Sequence, residues 1–229
     1  RGPYSFKDYL KPELKKFTLK QGQRMTLPIT IFIPKDAEPG GLYGSVLVAS
    51  QPIKSENKTE ADKAMGGAKI ITRLGTLFFV RVIGDAKEEG VLKEFSIAGE
   101  KKVFNSGPIK FRILYENNGN VHLNPYGEIR IKNISGQEIG FIKVEPWFAM
   151  PDSLRLREVN WDRERLFGRY TATVLINRGY GNIVDEMSVT FWVIPWGTIL
   201  LVLTGIIIVL IIVRWFFKRF EFRKKEKKE

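Results

Sequence analysis

The chain has 229 residues, no cysteine, one histidine and a formal net charge of +12. Without cysteine it cannot form a disulfide framework, and one histidine cannot supply a His-centred nucleophilic triad or a His/Cys metal site with its usual partners. No glycine-rich loop lies between a strand and a helix, so we predict a non-catalytic protein with no cofactor, no metal and no nucleic-acid partner.

Apolar and polar residues alternate in several runs within the first 84 residues, which is typical of β-strands. The predicted strands are Lys16–Leu19, Arg24–Ile33, Tyr43–Ala49 and Ala68–Gly84, the last either continuous or bent at Gly75. These strands make residues 1–84 a partial immunoglobulin-like β-sandwich.

Two polar stretches interrupt this pattern. Ser50–Gly67 has charges of alternating sign and almost nothing to bury, which predicts a mobile loop. Residues 85–90 are charged and end in glycine, which predicts a linker between two domains.

Residues 91–192 show about seven short alternating strands with turn signals every 8–12 residues and no helical pattern. Two clear inward faces are Ile109, Phe111, Ile113 and Tyr115, and Tyr170, Ala172, Val174 and Ile176. This pattern predicts a second antiparallel β-sandwich. The predicted fold class is therefore all-β, with tandem immunoglobulin-like sandwiches followed by one transmembrane helix.

A short motif occurs once in each predicted domain. A glycine turn is followed two residues later by tyrosine and then by an alternating strand, at Gly41-Leu42-Tyr43 and at Gly168-Arg169-Tyr170. In immunoglobulin-like sandwiches such a tyrosine forms a corner, its phenol bonding to upstream backbone. We predict structural tyrosine corners at Tyr43 and Tyr170.

The first domain has about three strands too few ahead of its predicted corner. Half a sandwich exposes an apolar sheet face and an unpaired strand edge. Two explanations are open: native sequence upstream of Arg1 supplies the strands, or another chain completes the sheet.

Three aromatic residues flank polar crossings in the second domain instead of lying in alternating runs. They are Trp147, Phe148 and Trp161. Either they fill the core, or they line a shallow site for carbohydrate or for a partner protein.

Residues 193–213 contain no charge and as a helix would span roughly 31 Å, close to the hydrocarbon thickness of a bilayer. Trp192 and Trp196 at one end and Trp215 at the other are typical of membrane interfaces. The predicted tail 214–229 is basic through Arg214, Lys218, Arg219, Arg223, Lys224 and Lys225, among others. Positive charge stays cytoplasmic, so we predict a single-pass protein of the cell membrane with its amino-terminal part extracellular.

The lead PELKKFTLKQGQ, the segment IPKDAEPGGLYGSVLV and the segment ITRLGTLFFVRVIGD resemble the WxL-interacting proteins of Gram-positive bacterial surfaces. The match is carried by Ile33–Gly44 and Arg73–Gly84, and the order of parts agrees along the chain. The resemblance implies two β-sandwiches and a membrane helix, with a peptidoglycan-binding first domain and a second domain that contacts a partner protein.

These patterns predict a membrane-anchored bacterial surface protein that binds cell-wall polymer or another surface protein. One alternative is an interaction subunit of a membrane complex that uses its transmembrane helix, and another is an accessory domain of a wall enzyme. The sequence leaves the oligomeric state open.

Overall fold

A computed structural model describes residues 2–50 and 71–219 of the chain. Residues 51–67 of the predicted loop, and Arg223, Lys224 and Lys225 of the predicted tail, lie outside the described residues. The chain forms two compact units. The first unit comprises Arg1–Glu89 with the short segments Asn117–Leu123 and Met150–Ser153, and the second comprises the remainder.

Within its described residues, the first unit contains two antiparallel strand pairs and a short 3-10 turn, Lys7–Tyr9. The strands are β1 (Leu10–Pro12), β2 (Ile29–Ile31), β3 (Gly40–Ser50) and β4 (Thr72–Val82). β1 pairs with β2, and β3 pairs with β4 over its whole length, from Gly40 opposite Val82 to Ser50 opposite Thr72. β4 runs through Gly75 without a break, which decides between the two forms that the sequence allows.

Two predicted strands of this unit are wrong. Lys16–Leu19 is not a strand, and only Ile29–Ile31 of the predicted strand Arg24–Ile33 is one. The physical reason is that alternation alone does not stabilise a strand when no second layer covers its apolar face. Within residues 2–50 and 71–89, Phe6 is the one large apolar side chain that is buried.

The second unit is built on eight strands in two sheets. They are β5 (Gly90–Ile97), β6 (Val103–Phe104), β7 (Ile109–Asn117), β8 (Tyr126–Asn133), β9 (Glu138–Val144), β10 (Ser153–Trp161), β11 (Gly168–Asn177) and β12 (Val184–Val193). One sheet has the order β10-β7-β5 and the other β6-β12-β11-β8-β9. β11 is antiparallel to both β8 and β12. The predicted all-β fold class, with an immunoglobulin-like sandwich, is confirmed.

Aromatic and branched side chains from both sheets fill the core of this sandwich. The inward faces predicted for β7 and β11 are both buried. Phe111 on β7 lies with its ring centroid 6.0 Å from that of Phe191 on β12, which joins the two sheets across the core. Phe95 on β5, in the same sheet as β7, stacks on Phe111 with a centroid distance of 5.5 Å.

A helix, α1 (Trp196–Arg219), follows the last strand. Its 24 residues extend about 36 Å, and it is long and apolar enough to cross a membrane. The helix begins three residues after the predicted start at 193 and continues past the predicted end at 213. Val193 is the last residue of β12 and is fully buried, and Arg214, Lys218 and Arg219 continue the helix instead of beginning a separate tail.

The predicted linker 85–90 also ends one residue earlier than expected. Gly90 is the first residue of β5, its N–H and carbonyl both bond to the Tyr180 hydroxyl of the second unit, and Glu89 is the last residue of the first unit's main segment.

Candidate binding site

Two of the three aromatic residues that the sequence offers as ligand contacts belong to the core. Trp147 and Trp161 are both buried. Their rings pack against core tyrosines, with centroid distances of 6.1 Å from Trp147 to Tyr115 and 5.8 Å from Trp161 to Tyr170. Burial excludes both indoles as surface contacts, so that expectation is wrong for them. Phe148 is exposed.

Tyr170 makes the local hydrogen bonds expected of a tyrosine corner. Its hydroxyl donates to the Phe167 carbonyl at 2.9 Å and accepts from the Phe167 N–H at 3.0 Å. Gly168 has a φ of +111°, a conformation that residues with a Cβ rarely adopt, and this lets the chain turn between the two. The phenol thus fixes the backbone three residues upstream.

Tyr43 does something different, and its prediction as a corner is wrong. Its hydroxyl accepts from the backbone N–H of His122 at 2.6 Å and lies 3.1 Å from His122 Nδ1. His122 is 79 residues downstream, in a segment that belongs to the first unit. The Tyr43 phenol therefore bonds to a segment 79 residues downstream, where a corner tyrosine would bond to backbone just upstream.

Tyr43, Phe79 and His122 form a small aromatic cluster within the first unit. Each pair of rings is arranged edge to face, with centroid distances of 5.6–5.7 Å. Burial lowers the pKa of His122, and the positive charge of Arg81 lowers it further. Burial also raises the pKa of the Tyr43 phenol. The cluster therefore holds a neutral imidazole at pH 7.

An apolar groove lies elsewhere in the first unit, between the segment that follows β1 and the outer half of β3. Its volume is about 930 Å³. The lining residues are Pro12, Leu14, Lys15, Lys16, Phe17, Thr18, Leu19, Leu27, Val46, Leu47, Val48, Ala49 and Ser50. Five of these are large apolar side chains that remain exposed: Leu14, Phe17, Leu19, Leu47 and Val48.

Among the described residues, no strand pairs with the edge of β3 that runs along this groove. This edge faces away from β4, and within the described part of the chain only its first part is hydrogen bonded. There the Tyr43 N–H donates to the Tyr4 carbonyl and the Tyr43 carbonyl accepts from the Phe6 N–H, both at 2.8 Å. Backbone groups alternate in direction along a strand, so those of Ser45, Leu47 and Ala49 point to the same edge. Among the described residues, these three make no backbone hydrogen bond on that edge.

The outer half of the β3–β4 ribbon is apolar on both faces. Val46 and Val48 lie on the face that Phe6 covers near Gly44, and Leu47 lies on the other. Apolar residues on both faces are typical of strands covered on both sides. The groove thus combines apolar side chains, an open strand edge and the positive charge of Lys15 and Lys16, which suits an extended peptide with apolar and acidic residues.

The predicted membrane-interface tryptophans lie at the two ends of α1 or just before it. Trp192 is a partly exposed residue of β12, and Trp196 is the first residue of α1. Trp215 lies near the other end, where the guanidinium carbon of Arg219 is 5.5 Å from its ring centroid.

The sequence-based site residues did not include the groove. One signal for it was present: Val46, Leu47 and Val48 are consecutive apolar residues, which predicts a strand buried on both faces. Phe17 and Leu19, which follow β1, show no such pattern. They line the groove because of the path of a segment without regular secondary structure, which the sequence does not predict.

In the part of the chain that the structure describes, no three His, Asp or Glu side chains lie close enough together to hold a metal ion. The geometry of the groove offers recognition by hydrogen bonds, apolar contact and charge.

No family model and no curated protein matches the chain. Among solved structures, it is similar to the C-terminal domain of Wzt, with 13% identity and a TM-score of 0.35 over 48% of this chain and 78% of that one. It is also similar to the CARDB domain of a Pyrococcus furiosus protein, with 13% identity and a TM-score of 0.32 over 50% of this chain and 95% of that one.

Proposed function

We propose that this chain is a non-catalytic, membrane-anchored bacterial surface protein that binds an extended polypeptide in the groove beside β3. α1 is the anchor. The basic residues Arg214, Lys218 and Arg219 at its carboxy-terminal end favour a cytoplasmic carboxy terminus, with both units outside. The resemblance of Ile33–Gly44 and Arg73–Gly84 to WxL-interacting proteins supports a location on a bacterial surface.

The open edge of β3 is the observation that carries the proposal. A peptide strand can pair with the backbone groups of Ser45, Leu47 and Ala49, which have no partner on this edge within residues 2–50 and 71–219, while its side chains enter the apolar groove. A glycan has no strand backbone with which to continue the sheet. The groove therefore favours a protein partner over the polysaccharide of the cell wall, and Lys15 and Lys16 favour acidic residues in that partner.

The first test is selection of displayed random peptides on the full chain held in lipid nanodiscs. The expected peptides alternate apolar and acidic residues. Leu47→Lys places a charge in the groove and should weaken their binding at least about tenfold, or about 1.4 kcal/mol.

Leu77→Lys is the matched control. Leu47 and Leu77 are exposed to 61% and 68% and lie on adjacent strands, but Leu77 does not line the groove. The control should bind like the parent chain. Equal losses in the two variants would contradict a site in the groove. Retention of the Leu47→Lys chain on purified sacculi at high salt, without peptide binding by the parent, would favour wall polymer instead.

A further inference from the structure

The connections at one end of the second unit's larger sheet converge beside the start of α1. Val193, the last residue of β12, pairs with Gly168 at the start of β11 and with Phe104 at the end of β6. Tyr170 on β11 pairs with Asn133, the last residue of β8. The turn after β8, the connection before β11 and the two-residue strand β6, which is parallel to β12, therefore lie at the same end as the exit to the helix.

Each of these three places holds a large apolar side chain out in solvent: one on β6 itself, one in the turn after β8 and one just before β11. They are Val103, Ile134 and Phe167, of which Ile134 is 75% and Phe167 72% exposed. Together with Trp192 and Trp196, we call these residues the rim.

The exposed side chains are held in place by ordered backbone. The Asn133 Oδ1 accepts from the N–H groups of Ser135 and Gln137 at 3.1 and 3.0 Å, which closes the turn that carries Ile134. Both backbone polar groups of Phe167 bond to the Tyr170 hydroxyl. Since the turns are fixed, the apolar side chains cannot fold back into the core at low cost, which favours a partner outside it.

The distance from the sheet to the helix is short. Only Ile194 and Pro195 separate Val193 from Trp196, so these two residues lie within about 11 Å of each other even when the chain is fully extended. The connection is hydrogen bonded as well: the Ile194 N–H donates to the Phe104 carbonyl at 2.8 Å. A polar headgroup layer is about 5–8 Å thick on each side of the hydrocarbon core. A rim this close to the start of a spanning helix reaches that layer.

We propose that the rim is a lipid-contact surface, and that Val103, Ile134 and Phe167 enter the headgroup layer beside Trp192 and Trp196. This inference rests on the proposed anchoring of the chain by α1. Apolar and aromatic side chains at the interface are stabilised there by partial burial, as in aromatic belts and interfacial anchors. The contact would hold the second unit against the bilayer at several points instead of at one connecting segment.

Charge contributes little to this contact. The segments that lead into β6 and β11 carry Lys101, Lys102, Arg163 and Arg165, and also Glu100, Asp162 and Glu164, and Arg169 lies opposite Trp192. Five basic and three acidic residues leave a net charge of only +2, so we expect apolar contact to dominate, to form on zwitterionic as well as anionic lipid and to persist at high salt.

The natural chain has no cysteine, so single cysteines can be labelled without background. The test uses the full chain reconstituted in phosphatidylcholine vesicles, with an environment-sensitive fluorophore on Ile134→Cys or Phe167→Cys. Lipids with a nitroxide on the headgroup should quench both labels several-fold more strongly than a label on Ile183→Cys. Ile183 is 42% exposed and lies next to the opposite end of β12, so it is the matched control.

A fourth label separates this inference from the proposed anchor. Ile207→Cys lies near the middle of α1 and should be quenched by lipids with a nitroxide deep in the acyl chain. If the label on Ile207→Cys is quenched but the rim labels are quenched no more than the label on Ile183→Cys, the rim contact is overturned and the anchor is not. Absence of deep quenching at Ile207→Cys would overturn the anchor, and the rim contact with it. Circular dichroism of each labelled variant checks that the fold is retained.

Discussion

The two units carry the same alternating sequence pattern and bury it to very different extents. In the second unit, Phe111, Ile129, Val174 and Phe191 are fully buried between two sheets. In the first, the β3–β4 ribbon leaves Leu47, Leu74 and Leu77 largely exposed. The difference shows that alternation specifies which residues share a face, while burial depends on a second layer that covers that face.

The same comparison explains what each unit can do. A closed sandwich offers turns and outer faces for contact, as the rim does. An open ribbon offers its edge and its apolar faces, which are the features that accept another strand. We therefore propose partner binding for the first unit and membrane contact for the second.

The largest expected effect is a difference in stability between two side-chain truncations, one in each unit. Phe111→Ala should destabilise the second unit by about 3–5 kcal/mol, because it removes a fully buried ring that contacts both Phe95 and Phe191. Leu77→Ala in β4 should change the stability of the first unit by less than about 0.5 kcal/mol, because Leu77 is exposed.

Urea denaturation followed by tryptophan fluorescence reports on the second unit, which contains Trp147 and Trp161. Amide hydrogen exchange of the β3 and β4 peptides reports on the first. A large loss of protection in Leu77→Ala would mean that the ribbon is covered in solution, for example by a second copy of the chain.

The two tyrosines give an intermediate test. Tyr43→Phe removes the acceptor of the His122 N–H. Tyr170→Phe removes the hydroxyl that bonds to both the N–H and the carbonyl of Phe167. Each substitution should cost about 1–3 kcal/mol, and each effect should be confined to the unit that contains the tyrosine.

Hydrogen exchange of the full-length variants measures both effects in one experiment. Loss of protection in β11 and β12 is expected for Tyr170→Phe, and loss in β3 and β4 for Tyr43→Phe. If Tyr43→Phe left β3 unchanged, the contact with His122 would not contribute to the stability of the first unit.

The sequence predicted the second unit well because its strands repeat a local pattern that the core then uses. The inward faces of β7 and β11 follow directly from alternation, and the Tyr170 corner is local over three residues. The helix was evident from 21 uncharged residues, although its start was placed three residues too early because Val193 is both apolar enough for the membrane and buried in β12.

The candidate site could not be predicted in the same way, because it depends on contacts between distant parts of the chain. Tyr43 and Tyr170 have the same local motif, and only the position of His122, 79 residues from Tyr43, decides that they bond differently. The groove likewise requires the segment after β1 to lie beside β3. Trp147 and Trp161 flank polar crossings in sequence, yet both rings turn into the core.

The smallest expected effect is a pH dependence confined to the first unit. His122 is the one histidine of the sequence and its pKa is lowered by burial and by Arg81. The unfolded chain therefore binds a proton more readily than the folded one near and below the ordinary histidine pKa of about 6.5. The stability of the first unit should be at its full value above that pH and should fall as the pH drops towards the folded-state pKa, by at most about 1.4 kcal/mol per pH unit.

Hydrogen-exchange protection of β3 and β4, corrected for intrinsic exchange rates, is measured from about pH 8 to about pH 5. This range spans the ordinary histidine pKa, where the loss of stability should begin. His122→Asn is the matched control, because its amide oxygen can accept from Tyr43 in place of Nδ1 without taking up a proton. The variant should lose the dependence, and β11 and β12 should show none in either protein. An equal loss of protection in both units on acidification would mean that carboxylates, and not His122, control acid stability, and the two units would then differ in packing alone.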